Sequence, residues 1–308
     1  MKIKTLIKKI FLNFGLDIRF KKNRIKYLNL EDTKIINNNT LDYIVSLSEE
    51  EITKRIKSVT FSKPSNSDSL TDIRNMLKKE GIVIIPEVLD VNKIKESRNI
   101  IHEILKDVNN KNPSDIRHEN ENYIVCGKNI HGNSYYDLSD YTKPAIVVRQ
   151  GSDQGMIDIF NVDKLLEVLG ETLNKLFSSE WLLNIINYTN EKINPKNLNL
   201  YVNNNITKTR GFHVDSYYRS IKAFIYLTDV NCLDDGPYCF VKGTHVDNPL
   251  KKLNMIIGNK EAPLINPLKI IPVFGKRGTL IISDQSGVHR GFPQSKGSLR
   301  ELIVMRYA

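Results

Sequence analysis

Long apolar runs are missing from this 308-residue chain. None approaches the roughly 20 residues that a helix needs to span a bilayer. The N-terminus also lacks a long apolar core followed by an A-x-A-like site, so no cleaved signal peptide is expected. Cysteine is scarce. Cys126, Cys232 and Cys239 are odd in number and have no framework spacing. That excludes a disulfide scaffold and points to a reducing, cytoplasmic location. No internal repeat is found. Acid is nearly absent from residues 1–26, where Asp17 stands against nine Lys and Arg, for a local charge of +8 out of a total of +10. The body is close to balanced. A nucleic-acid binder is expected to carry its basic face on the folded domain, so nucleic acid is not an expected partner.

What is present allows a sizeable core. Hydrophobic residues make up 40% of the chain and charged residues 26%. Ile3, Leu6, Ile7, Ile10 and Phe14 fall at helical spacing among lysines, with Gly15 as a stop. Residues 1–30 therefore read as a basic amphipathic arm. Through residues 1–26 it is suited to peripheral contact with an anionic membrane, and equally to packing on the body or on a partner. Residues 31–69 read as a polar linker with one short helix near 47–58. Residues 70–308 read as the main domain.

In that domain, Ser69 is expected to cap a helix ending before Gly81, VIIPEV to form a strand, and Asp90 to cap a second helix. Residues 109–155 show no sustained periodicity. A loop of that length inside a domain suggests a lid, with Tyr135, Tyr136 and Tyr141 facing a substrate. Residues 162–177 form another amphipathic helix. Beyond it, WLLNIINYT, NLNLYVNN, IKAFIYLTDV, PYCFVKG, LKIIPVF, GTLIISD and ELIVMRY read as strands with turns between them, which suggests a sandwich or barrel. In NLNLYVNNN, Asn197, Asn199, Tyr201, Asn203 and Asn205 share one face, and Leu198, Leu200 and Val202 share the other. The polar face is either solvated or lines a cavity.

The stretch GFHVDSYYRS sets His213 and Asp215 two apart, so on a strand both point to one side. Two residues alone fit a polar patch as well as a metal pair. A 2-His-1-carboxylate facial triad for non-haem Fe(II) needs one more histidine. His289, just after GTLIISD, is the best placed by position. His245 lies in a turn and reads as structural.

The segment from His213 to Arg300 resembles the phytanoyl-CoA dioxygenase-like family of Fe(II)/2-oxoglutarate oxygenases. It carries His213-Val214-Asp215, then DDGPYCFVKGTH at 234–245, then His289, then Arg300 eleven residues on. Residues 77–101 resemble that family's N-terminal helix–strand–helix. The match covers roughly residues 70–308 and leaves residues 1–60 outside. The resemblance implies a mainly β, α+β fold with flanking helices around a double-stranded β-helix, the jelly-roll or cupin-like barrel. It implies a dioxygenase that hydroxylates a C–H bond, using O2 and 2-oxoglutarate as cosubstrates; the fold and triad do not specify the substrate, which is expected to be a small molecule or, by analogy of the basic arm, of lipid or glycan type. It implies Fe(II) on His213, Asp215 and His289, and Arg300 on the distal carboxylate of 2-oxoglutarate, where the planar guanidinium offers two parallel donors. Asn199, Tyr201 and Asn203 are further candidate contacts to cosubstrate or substrate. Arg290 and Arg306 are weaker candidates for the carboxylate. Tyr217, Tyr218 and Arg219 read as pocket or rim residues. One departure stands out: where the family often has a hydroxyl residue two positions after the distal histidine, this chain has Gly291. Two alternatives remain at this point: a non-catalytic jelly-roll binding or assembly module, and a metal enzyme independent of 2-oxoglutarate. The oligomeric state is not legible.

Overall fold

The structure is a computed structural model, and it describes residues 40–110, 118–119, 121–126, 143–149, 151–189 and 191–308. The basic arm and the three tyrosines expected on a lid fall outside the described residues.

Twelve strands are described. They are β1 (Ile82–Ile85), β2 (His118–Glu119), β3 (Ile124–Cys126), β4 (Ala145–Val148), β5 (Ile157–Phe160), β6 (Pro195–Asn204), β7 (Ile221–Tyr226), β8 (Tyr238–Val241), β9 (Ile270–Val273), β10 (Leu280–Asp284), β11 (His289–Gly291) and β12 (Leu299–Tyr307). A nine-stranded sheet runs β1-β10-β7-β12-β6-β5-β4-β3-β2, and a three-stranded sheet runs β11-β8-β9. An antiparallel bridge between His213 and His289 extends the small sheet by one position. From β6 onward the chain passes between the two sheets: large (β6), small (His213), large (β7), small (β8 and β9), large (β10), small (β11), large (β12). This alternation of antiparallel strands across two facing sheets is the double-stranded β-helix, a mainly β fold with flanking helices.

Side-chain alternation separates the layers. Ile221, Ala223, Ile225, Ile303 and Met305 pack with the helices on one face of the large sheet. Phe224, Tyr226, Leu302, Val304, Tyr238 and Phe240 fill the space between the sheets. A third cluster backs the small sheet with Cys239, Val241 and Ile270, and it includes Ile44 from the helix Thr40–Val45. Within the stretch read as a linker, residues from Thr40 on therefore carry helices packed on the barrel. Arg55 of the helix Glu49–Lys57 donates to the carbonyls of Pro267 and Ile270 at 3.1 and 2.8 Å.

Local expectations fare unevenly. The first main helix, Ser67–Glu80, is capped by Asn66, with Ser69 completing the reciprocal box at its third position, so the cap lies three residues earlier than expected. It ends on Gly81 at φ 79°, a left-handed conformation that glycine adopts without cost. Asp90 caps Val91–Asn110 by accepting from the Asn92 and Lys93 amides at 2.7 and 3.2 Å. The expected helix over 162–177 is a short 3-10 turn at Val162–Lys164 followed by the helix Glu167–Phe177. WLLNIINYT is a helix, Glu180–Ile186, where a strand was expected. Leu182, Ile185 and Ile186 are buried at helical spacing, and a short apolar run fits either period.

Candidate metal centre and active-site cavity

His213 and His289 meet across the end of the small sheet. Each donates its backbone amide to the other's carbonyl, at 3.0 and 2.9 Å. Their rings lie 4.6 Å apart, centroid to centroid. His213 Nδ1 is 2.7 Å from the Gly211 carbonyl, and His289 Nδ1 is 2.9 Å from the Gly287 carbonyl. A carbonyl only accepts, so the proton on each ring sits on Nδ1 and the lone pair on Nε2. Both Nε2 atoms turn towards one carboxylate oxygen. Asp215 Oδ1 lies 3.8 Å from His213 Nε2 and 3.6 Å from His289 Nε2. Among the described residues this is the cluster able to hold a metal, with its ligand atoms all within 4.8 Å of one another. Lys222 Nζ holds the other Asp215 oxygen, Oδ2, at 2.6 Å.

The electrostatics suit a cation. Burial, aided by the neighbouring His289, pushes the His213 imidazole down to about 3, so it is neutral at physiological pH as a ligand must be. Burial works to raise the Asp215 carboxyl, but Lys222 and the His289 contact hold it well below the usual carboxylate range. Two imidazole nitrogens and one carboxylate make a mixed nitrogen and oxygen donor set that suits divalent iron.

The three residues open on a cavity of about 350 Å³ between the sheets. Tyr201 and Asn203 of β6 line it, and across the strand pair they face Leu302 and Arg300 of β12. The alternation in NLNLYVNN is thus realised, with Leu198, Leu200 and Val202 buried on the other face. Asn199 shares the polar face but is not among the lining residues, and its Oδ1 is buried without a partner. Arg300 is 7% exposed, and its Nε and Nη1 are buried with no hydrogen-bond partner among the described residues. An unsatisfied buried guanidinium in a cavity is a standing site for a carboxylate. Gly291 lies against it: a Cβ there would stand 3.4 Å from Arg300 Nη2.

Other expectations resolve plainly. His245 is away from the cluster, with Nε2 3.1 Å from the Lys78 carbonyl, as a structural residue. Tyr217, Tyr218 and Arg219 do not line the cavity. Tyr218 is 84% exposed, and Arg219 stacks on Tyr188 and donates to the Ile186 carbonyl. Sequence reading missed Lys222, Arg149 and Tyr238, and it ranked Arg290 low, yet all four line the cavity. For Lys222 a signal was available. In IKAFIY it shares a face with Phe224 and Tyr226, and a lone lysine on an inward aromatic face needs a buried partner.

No protein-family model matches the chain, and no curated protein sequence matches it. Among solved structures it is similar to the non-heme alpha ketoglutarate dependent epimerase SnoN from nogalamycin biosynthesis, at 16% identity over 79% of this chain and 83% of that one, TM-score 0.47. It is also similar to HygX from Streptomyces hygroscopicus with nickel and 2-oxoglutarate bound, at 12% identity over 76% and 85%, TM-score 0.47. A third is EctD from S. alaskensis with bound Fe, at 13% identity over 81% and 80%, TM-score 0.49. The metals and 2-oxoglutarate named there are bound by those proteins, and the fold of this chain rests on its own strand order.

Proposed function

We propose that this chain is an Fe(II)/2-oxoglutarate-dependent dioxygenase of the phytanoyl-CoA dioxygenase-like kind, hydroxylating a C–H bond of a small-molecule or lipid- or glycan-type substrate. The observation that carries the reading is the pair of imidazoles whose Nδ1 atoms are tied to carbonyls, so that two free Nε2 atoms converge on Asp215 Oδ1. His213, Asp215 and His289 are the metal ligands. Arg300, with unsatisfied donors inside the same cavity, takes the distal carboxylate of 2-oxoglutarate. When bound, iron and 2-oxoglutarate would couple O2 reduction to loss of CO2 and formation of succinate, at the positions that three protein ligands leave open.

The chain's own part is positional. The Gly211 and Gly287 carbonyls hold both rings in one tautomer and orientation, as outer partners of metal-bound histidines do. Phe224, Tyr238 and Leu302 give the cavity an apolar wall that limits water. Tyr201 and Asn203 stand beside Arg300 to contact cosubstrate or substrate. The catalytic unit is assigned to residues 70–308, with the helices from Thr40 on packed against it. For residues 1–26, the charge and apolar stripe support peripheral membrane contact by a cytoplasmic protein. No helix among the described residues is long and apolar enough to cross a membrane.

The test is anaerobic Fe(II) titration followed by 2-oxoglutarate turnover, with succinate measured against a panel of lipids, acyl thioesters, sugars and amino acids. One iron per chain and succinate formation are expected. Failure to bind iron at micromolar concentrations, or tight iron binding with no 2-oxoglutarate consumption under any condition, would remove the reading.

A further inference from the structure

The cavity wall carries five cationic side chains, and three are neutralised within the protein. Lys222 pairs with Asp215 at 2.6 Å. Arg149 pairs with Asp158 at 2.6 Å and Asp153 at 3.3 Å. Arg210 pairs with Glu261 at 2.7 Å. Arg300 and Arg290 have no carboxylate partner among the described residues. Arg300 is the group proposed for the cosubstrate. Arg290 is left over.

Arg290 is 6% exposed as a residue. Its orientation is fixed by uncharged groups. Nε donates to the Gly291 carbonyl at 3.1 Å, Nη2 donates to Thr209 Oγ1 at 2.8 Å, and the guanidinium stands 5.5 Å over the Phe212 ring. These contacts aim the fork without neutralising it. Of its five N–H donors they use two, and Nη1 has no protein acceptor among the described residues. A buried, preoriented guanidinium with free donors and no counter-ion is costly unless an anion completes it. Burial lowers the basicity of both arginines, and the more distant Asp153 carboxylate offsets only part of that.

The two arginines line the same cavity and have different immediate neighbours. Arg300 lies towards Tyr226, which is fully buried. Arg290 is anchored to Thr209, next to Arg210, in the half-buried stretch that leads to His213. We propose that Arg290 anchors a second oxyanion subsite, which takes a carboxylate or phosphate group on the substrate, so that the substrate of this site is an anion. The proposal rests on the reading that Arg300 holds the cosubstrate carboxylate. Arg290 and His289 are neighbours on one strand and so start from opposite faces, but the long Arg290 side chain reaches the lining of the same cavity, so an anion held there shares the cavity with the proposed metal site.

The experiment uses the full chain loaded anaerobically with Fe(II) and saturating 2-oxoglutarate. Binding of two probes, inorganic phosphate and acetate, is followed by calorimetry. Wild type is expected to bind at least one of them at millimolar concentration or tighter. Arg290→Gln should weaken that binding at least tenfold, and Arg290→Lys less so, with melting temperatures reported for each. The lysine variant covers the case in which the glutamine variant does not fold. Comparing phosphate with acetate tells which oxyanion the subsite prefers. Equal probe binding by wild type and both variants overturns the proposal, as does absence of binding to wild type. Binding seen without 2-oxoglutarate and abolished by it assigns Arg290 to the cosubstrate, and also overturns it. Failure to load Fe(II) or 2-oxoglutarate at all is seen before any probe is added, and it sinks the functional reading along with the subsite.

Discussion

Lys222 and Asp215 divide the work of one carboxylate: Oδ2 is held by Lys222 Nζ at 2.6 Å, while Oδ1 faces the two histidine nitrogens. With Oδ2 occupied, Asp215 presents a single oxygen to a metal, and its rotamer is fixed before the metal arrives. Loss of an outer partner of this sort typically costs about 10–100-fold in metal affinity or activity. Lys222→Met is therefore expected to weaken Fe(II) binding by about that factor in anaerobic equilibrium dialysis, while Lys222→Arg, which keeps the charge, recovers part of it. Unchanged iron affinity in Lys222→Met would show that the pair is only a space-filling contact.

Arg300 is the second point of attack. Its Nε and Nη1 have no partner among the described residues. Arg300→Lys keeps the charge but loses the planar fork. The expected outcome is at least a tenfold weaker apparent affinity for 2-oxoglutarate, with iron binding unchanged. A competing oxo acid that lacks the distal carboxylate, such as 2-oxobutyrate, should bind wild type and variant alike. An unaltered 2-oxoglutarate titration would transfer the role to another base.

The barrel strands were legible because alternation survives in NLNLYVNN, and because the short, partly β-branched apolar stretches of β10 and β12 follow turn signals. His213, Asp215, His289 and Arg300 were legible as motif residues, and the structure brings them to one cavity. What failed to show was of two kinds. Glu180–Ile186 was misread because a seven-residue segment has too few turns to display its period. β5, with Asp158 buried at its centre, was hidden because its charge is satisfied by Arg149, nine residues earlier in sequence and on the neighbouring strand's exit. Such compensation becomes visible only once strands pair. Arg290 was discounted for standing next to a ligand, yet its long side chain reaches the same cavity.

Acid should weaken the metal-free protein through His213. Its folded value, about 3, lies below the ordinary 6.5, so between these limits the unfolded chain holds a proton that the folded chain refuses. Stability therefore falls as pH falls through that window. At about 1.4 kcal/mol per pH unit, wild type is expected to lose about 2 kcal/mol more than His213→Asn between pH 6.5 and pH 5. Asp215, held well below its ordinary value of 3.8, adds its own loss only at more acid pH. Urea titrations of both proteins, stripped of metal, at three or four pH values check the slope. Parallel curves for wild type and variant would mean that the imidazole is not desolvated in the folded state.

Behind the site, Glu301 is fully buried on the opposite face of β12 from Arg300. It pairs with Arg98 and, at 2.6 Å, with His102 Nε2, both from the helix Val91–Asn110. Its backbone amide also donates to Thr228 Oγ1 at 3.1 Å. Neighbouring residues on a strand point to opposite faces, so this pairing sets the register that turns Arg300 inward. Removing one partner of a buried pair usually costs about 3–5 kcal/mol, because the other charge is left alone in the interior. Here Arg98 is one-fifth exposed and His102 remains, which places Arg98→Met lower, at about 2–3 kcal/mol. The double change Arg98→Met with Glu301→Leu removes both charges and should be more stable than Arg98→Met alone, since an apolar pair needs no counter-charge. Chemical denaturation of the two variants and wild type gives the comparison directly. A single variant within about 0.5 kcal/mol of wild type, as an ordinary surface change would be, would show that Glu301 is satisfied without Arg98. A double variant less stable than the single one would show that the carboxylate contributes through its packing and not through its charge.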